Sequence, residues 1–127
     1  EHLINQKNLV KEIFKILKPG GILLSHVPNH FPLWGRLKFL VNNNIDTFNY
    51  FPDSNRHNFP HVRFFTYENM IKMYSEENIH ILENLSFHFY KFPILDRFLT
   101  VKMKRVLCKI STDNFTEGIT MLLRKNK

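Results

Sequence analysis

The sequence predicts one α/β domain over residues 1–127, in which helices alternate with buried strands. Residues 9–29, LVKEIFKILKPGGILLSHVPN, combine helically spaced apolar residues, a Pro-Gly-Gly stop and an apolar run. Residues 61–89 repeat that order, and a further apolar run begins at Gly118. Alternation of helical and extended patterns is typical of α/β folds, whose strands end at ligand-binding positions.

The first unit opens with a helix predicted over residues 4–17. Its apolar residues recur at the spacing of one helix face: Leu9, Val10, Ile13, Phe14 and Leu17. Pro19-Gly20-Gly21 ends the helix, and Lys18 complements its C-terminal dipole. The mostly apolar run Ile22–Val27 predicts a short strand covered on both faces.

The middle of the chain is predicted to be less regular. Residues 33–41 indicate a short helix, and residues 42–60, rich in Asn, Asp, Pro and aromatic residues, indicate a long loop. Thr66 is a candidate N-cap for a helix over about 67–77, and Asn78 suits its C-terminal end.

The last third predicts strand, helix and strand. Apolar residues alternate over 79–89, apart from Glu83, as in a half-buried strand. A helix is predicted over 94–110 and a final strand over 118–124. We expect the segments 22–27, 79–89 and 118–125 to form one sheet, because the helices between them are typical of crossover connections.

Composition limits the setting and the partners. The chain has 127 residues and a formal net charge of +7, and its single cysteine, Cys108, favours a reducing compartment, so we expect a cytoplasmic protein. No apolar run reaches the roughly 18 residues that cross a bilayer, so we expect no membrane partner. The basic cluster Lys102, Lys104, Arg105 and Lys109 is read as the solvent face of a helix. Nucleic acid is the less favoured alternative partner.

Four segments, in this order and spacing, resemble one enzyme family. They are EHL at 1–3, LKPGGILLSHVPN at 17–29, HVRFFTYENM at 61–70 and GITMLLRK at 118–125. They resemble the C-terminal half of class I S-adenosylmethionine (SAM)-dependent methyltransferases of the type 11 and MetW-like kind. Taken alone, KPGG would be a weak signal.

The resemblance implies a partial Rossmann-like methyltransferase sheet, with strands 5, 7 and 6 of the family and flanking helices. It therefore implies that the strand over 118–125 lies between the other two and antiparallel to both. It also implies SAM as cofactor and an unknown methyl acceptor as substrate. The family's glycine-rich loop and ribose-binding acid would belong to an N-terminal SAM-binding half that precedes Glu1, and that half would be a partner of this one. The alternative is a non-catalytic, truncated methyltransferase-like module or half of a split enzyme.

The resemblance also places three residues near the methyl-transfer centre. Glu1 and His2 match the end of the family's fourth strand, which implies contacts to the cofactor. His61 and His2 are the implied catalytic residues. Relatives that methylate small RNAs bind a divalent cation with similar residues, and carboxylate and imidazole groups suit such a cation. For Glu1, His2 and His61 we favour the alternative without metal, in which His61 orients or packs.

Three further residues are candidates for substrate binding. Asn29 and His30 follow the predicted strand at its ligand-facing end, although an Asn-His turn after Pro28 explains them equally well. Arg63 suits an acidic substrate group or a neighbouring carboxylate. His26, inside the strand, is expected to be a hydrogen-bonded core histidine.

Overall fold

The computed structural model describes residues 2–42, 61–75 and 79–126. Its helices and strands are, in chain order, α1 (Gln6–Ile16), β1 (Ile22–Pro28), α2 (Leu33–Asn42), α3 (Tyr67–Ser75), β2 (Ile79–Asn84), a 3-10 turn (Leu95–Arg97), α4 (Val101–Ile110), α5 (Thr112–Phe115) and β3 (Gly118–Lys125). The loop predicted over 42–60 and the helix end predicted at Asn78 lie outside the described residues, apart from residue 42, which ends α2.

The three strands form one sheet in the order β1–β3–β2, as predicted. Strand β3 pairs antiparallel with β1, from Ile22 opposite Arg124 to Pro28 opposite Gly118, and antiparallel with β2. The strands β1 and β2 therefore run in the same direction, and their carboxyl ends lie at the same edge of the sheet. The chain is thus a small mixed α/β domain with an antiparallel three-stranded sheet.

Helices α1 and α3 cover one face of the sheet and form the core with it. Its buried members are Val10, Phe14, Phe65, Met70, Tyr74, Ile119, Met121 and Leu123. A hydrogen bond of 2.6 Å joins the hydroxyls of Ser25 on β1 and Tyr74 on α3. Burial raises the pKa of the Tyr74 hydroxyl, and the bond to Ser25 opposes that shift. The phenol therefore stays neutral at physiological pH.

The other face of β1 is exposed, so the prediction of a strand covered on both faces is wrong. Ile22 is 54% exposed and Leu24 is 60% exposed. His26 lies on this face as well, bonded to the Thr120 hydroxyl at 2.8 Å, and is therefore satisfied but outside the core. An apolar run alone does not distinguish one covered face from two, because helices α1 and α3 both pack on the same side.

Helix α1 is two residues shorter at its start than predicted, because the Asn5 side chain caps it through the Asn8 N–H. At its other end Lys125 of β3 donates to the carbonyls of Phe14 and Leu17, at 2.5 and 2.8 Å. A partly buried ammonium group, such as that of Lys125, is stabilising at the negative C-terminal end of a helix dipole. This contact ties α1 to the end of the central strand.

Strand β2 ends at Asn84, five residues earlier than the predicted strand over 79–89. The Asn84 side chain accepts from the Ser86 N–H at 3.0 Å, which forms a local turn and interrupts the regular strand. The Ser86 hydroxyl then takes the place of a backbone acceptor, receiving the Thr120 N–H at 2.8 Å. Side-chain hydrogen bonds and separate backbone contacts, such as the bridge between Phe89 and Thr116, therefore take the place of the regular ladder that apolar alternation predicted.

The single helix predicted over 94–110 is two elements, a 3-10 turn and α4. Thr100 separates them, since its hydroxyl caps α4 by accepting the Met103 N–H. Most of the basic cluster on α4 is exposed, as expected of a solvent face, although Lys104 pairs with Asp96 at 2.5 Å. Helix α5 was not predicted. None of the helices in the described part of the chain has the length and apolar composition needed to cross a bilayer.

Cys108 provides a test of the packing between α4 and α5. Its side chain is fully buried, and burial raises the pKa of its thiol, so little thiolate is present at neutral pH. We expect iodoacetamide to modify the folded chain at least about 100-fold more slowly than the same chain in denaturant, as for a thiol exposed only by unfolding. Equal rates, measured by mass spectrometry, would show that the packing of α4 against α5 does not cover Cys108.

Candidate functional site

Residues 112–116, here called the α5 turn, hold the carboxyl edge of the sheet together. Asn29 follows β1, is 3% exposed, and its side-chain amide donates to the carbonyls of Asp113 and Thr116 at 2.9 and 2.8 Å. The side-chain oxygen of Asn29 accepts from the Phe31 N–H at 3.0 Å, which forms a tight turn after the strand. The end of β1 is thus fixed to the α5 turn.

The end of β2 is attached in the same way. The Asn84 amide donates to the Thr112 hydroxyl at 2.7 Å, while its oxygen forms the turn with Ser86 described above. The Thr112 hydroxyl in turn donates to the Cys108 carbonyl in α4. Two asparagines, each just after or at the end of a parallel strand, therefore converge on the same short turn.

The α5 turn also sets the start of α3 and the position of α2. The Asp113 carboxylate accepts from the Tyr67 N–H at 2.6 Å, which adds to the cap that Thr66 makes with Asn69. Arg36 of α2 donates to the Asn114 side chain. A carboxylate at a helix N-terminus is favourable. The segment before α3, which carries His61, is therefore anchored through the same turn.

His30 points from the end of β1 into the segment before α3. It is 4% exposed, and its ring contacts the ring of Phe64 edge-on, with centroids 5.0 Å apart. Its Nδ1 accepts from the Phe65 N–H at 3.3 Å. Its Nε2 lies 2.9 Å from Nδ1 of His61, which is a hydrogen bond between the two rings.

His2 completes the group that we call the histidine cluster (His2, His30 and His61). The rings of His2 and His61 meet edge to face, with centroids 4.8 Å apart. Arg63 keeps the two segments together, because its guanidinium donates to the Ile4 carbonyl at 2.8 and 3.3 Å. Residues from three parts of the chain thus meet beside the end of β1.

The predicted site residues therefore fall into distinct groups. His2, His30 and His61 come together, as the resemblance implied for His2 and His61. Asn29 is buried and its amide donates to carbonyls within the fold, which favours a turn residue over a substrate-binding residue. Arg63 is exposed and donates to the Ile4 carbonyl, while its binding of an acidic substrate group or of a carboxylate stays a prediction. Glu1 lies outside the described residues.

The histidine cluster has the chemistry of a hydrogen-bonding site. Two linked imidazoles offer a donor or an acceptor, depending on tautomer. Among the described residues, no group of three His, Cys, Asp or Glu side chains is arranged to hold a metal ion. The cation site considered for Glu1, His2 and His61 includes one residue that the structure does not describe.

A cleft of about 500 Å³ lies against the α5 turn. It is lined by Tyr67, Glu83, Asn84, Lys109, Ile110, Ser111, Thr112 and Asp113. Of these, Asn84 is hydrogen-bonded to Thr112, and Asp113 is hydrogen-bonded to the Tyr67 N–H. We regard the cleft as a consequence of how the α5 turn meets β2 and prefer the histidine cluster as the candidate site.

Sequence reasoning missed the residues that build the site from behind. Thr112, Asp113 and Asn84 were not selected, although Ser111-Thr112-Asp113 is the residue pattern of a helix start. The bond between His30 and His61 was also missed. The position of Asn29 just after a predicted strand is the signal that could have indicated this bond, since asparagine there favours a tight turn that redirects the next side chain, His30.

Comparison with models of known protein families, with curated proteins and with solved structures gave no match.

The role of Asn29 can be tested by a nearly isosteric change. In Asn29→Asp, an oxygen replaces the amide nitrogen and faces carbonyl oxygens that now lie at 2.8 and 2.9 Å. Buried polar groups without partners cost about 1–3 kcal/mol each, so we expect the free energy of unfolding to fall by about 3 kcal/mol or more. Chemical denaturation measures this change.

Asn114→Asp is the matched control on the same turn. Its side-chain oxygen accepts from Arg36, and a carboxylate preserves that contact, so we expect a change below about 1 kcal/mol. Similar losses for both variants would mean that Asn29 does not organise the carboxyl edge of the sheet.

Proposed function

We propose that the chain is the C-terminal part of a SAM-dependent methyltransferase that transfers a methyl group to an unknown acceptor. The observation that supports this most is the meeting of two resembling segments. His30 follows the strand of LKPGGILLSHVPN, His61 opens HVRFFT, and their rings are bonded at the carboxyl edge of the sheet. Ligands of α/β sheets bind at that edge. The proposal carries with it a Rossmann-like arrangement of a larger sheet.

The residues of this chain do not by themselves make a SAM site. Its glycines are Gly20, Gly21, Gly35 and Gly118, and no glycine-rich loop follows a strand. Such a loop lets backbone N–H groups approach a ligand closely. We therefore assign SAM binding to an upstream half of the domain, and to this chain the rim of the site and contacts with the acceptor.

The contribution of this chain would be alignment. Methyl transfer from a sulfonium is a direct displacement, so the rate depends mainly on how donor and acceptor are held. His2 and His61 are positioned for this by fixed neighbours: Arg63 ties the His2 segment in place, and His30 holds His61. A cytoplasmic location is part of the proposal and agrees with the single buried cysteine.

A second function is favoured by the exposed side of the sheet. In the described residues β1 pairs only with β3, which leaves its other edge without a strand. Ile22 and Leu24 add an apolar face beside that edge. A bare edge and an apolar face favour association with another chain. The chain would then be a non-catalytic module or half of a split enzyme.

Calorimetry distinguishes these functions. We expect the 127-residue chain alone to show no tight SAM binding, and the chain extended by the sequence encoded upstream of Glu1 to bind SAM in the micromolar range. Tight binding by the chain alone would overturn the assignment of the cofactor site. Failure of the extended protein to bind SAM would overturn the methyltransferase and leave the binding module.

His61→Ala tests the site in the extended protein. Loss of a hydrogen bond that strengthens in the transition state costs about 1.5–3 kcal/mol when one partner is charged, so we expect methyl transfer to fall at least about ten-fold. His88→Ala is the matched control, because His88 is exposed and outside the cluster. Release of S-adenosylhomocysteine measures the rate. Unchanged turnover in His61→Ala would remove His61 from the site.

A further inference from the structure

The hydrogen bonds of the histidine cluster have a fixed direction, which begins at a backbone group. The Phe65 N–H donates to Nδ1 of His30 at 3.3 Å. An amide does not give up its proton at physiological pH, so Nδ1 of His30 must be the acceptor and carries no proton. His30 is therefore neutral, with its proton on Nε2.

The direction continues into His61. Because Nε2 of His30 carries the proton, it donates across the 2.9 Å contact to Nδ1 of His61. Nδ1 of His61 is then an acceptor without a proton. A neutral His61 must hold its proton on Nε2. In a doubly protonated His61, the Nδ1–H would face the Nε2–H of His30, and two donors cannot form a hydrogen bond.

From this we propose that His30 is a positioning residue that fixes His61 in its Nε2-protonated tautomer. Nε2 of His61 is then a hydrogen-bond donor rather than a proton acceptor. Any group that binds there, from this chain or from a ligand, must accept a hydrogen bond, and a ligand would do so through a carbonyl, a carboxylate or a developing negative oxygen. The identity of the ligand rests on the proposed methyl transfer, whereas the tautomer does not.

The surroundings keep the pair in one geometry. Phe64 and Phe65 contact the His30 ring, with centroids 5.0 and 6.3 Å away, and His2 contacts the His61 ring edge-on at 4.8 Å. Asn29 sets the turn from which His30 projects. A ring flip of His30 would place its Nδ1 away from the Phe65 N–H and leave that buried amide without its acceptor, which is costly.

The test is the nitrogen NMR spectrum of the imidazoles in the 127-residue chain labelled with ¹⁵N. A protonated ring nitrogen resonates well upfield of an unprotonated one, so the spectrum reports the tautomer directly, and His61→Gln, which lacks one imidazole, assigns the signals. We expect Nε2 of His61 to be the protonated nitrogen at neutral pH. A proton on Nδ1 of His61, or on both nitrogens, would overturn the proposal without any variant of His30.

Two substitutions separate hydrogen bonding from packing. His30→Gln keeps one acceptor and one donor on a single amide, so we expect the His61 signals to stay at their positions. His30→Phe keeps an aromatic ring but has neither group, so we expect both nitrogens of His61 to shift toward the average of the two tautomers. Preserved signals in His30→Phe, with shifted signals in His30→Gln, would mean that His30 acts by packing alone. Absence of methyl transfer in the extended protein would leave these results intact and overturn only the proposed function.

Discussion

The α5 turn is the contact on which the rest of the domain depends. It accepts the side chains that end both parallel strands, Asn29 after β1 and Asn84 at the end of β2. It also caps α3 through Asp113. Thr112 and Thr116 are buried here, and their hydroxyls donate to carbonyls one helical turn earlier. Buried polar groups stabilise only when they are fully bonded, and every buried side-chain nitrogen and oxygen in the described residues has a partner.

This turn connects stability with the site. The Asn29 side-chain amide donates to the α5 turn, and its oxygen accepts from the Phe31 N–H. These bonds hold the backbone of residues 29–31 in a tight turn. His30 lies in that short stretch and is directed at Phe65. The Phe65 segment is in turn fixed by the caps on α3. The two rings of the histidine cluster are therefore positioned by the same element that joins the strands, although that element touches neither ring in a hydrogen bond.

Sequence reasoning succeeded where the cause is local. Helical spacing predicted α1 and α3, and the apolar runs predicted β1 and β3, since periodicity reflects which side of an element is buried. The strand order came from the resemblance, because pairing between distant segments leaves no local pattern. The end of β2, the division before α4 and the α5 turn depend on single side chains bonded to distant backbone, such as Ser86 to Thr120. Such bonds are chosen by the assembled fold.

The same distinction applies to the site. Histidines at 30 and 61 were visible in the sequence, but their roles were not, because a role depends on which nitrogen carries the proton. That is decided by the Phe65 N–H, a backbone group whose position exists only after α3 docks on the sheet. For Arg63 the sequence indicated a charged side chain near the site, and the structure shows that this side chain donates to the Ile4 carbonyl.

The exposed side of the sheet lies apart from this machinery. Ile22 and Leu24 occupy the first half of β1, whereas the histidine cluster follows its end. Burying one such side chain contributes about 1.5–3 kcal/mol, against a total stability of about 5–15 kcal/mol for ordinary domains. A partner on that face would thus add substantially to stability without meeting His30 or His61. Association and site chemistry are therefore separable, because the α5 turn fixes the histidine cluster from within the chain.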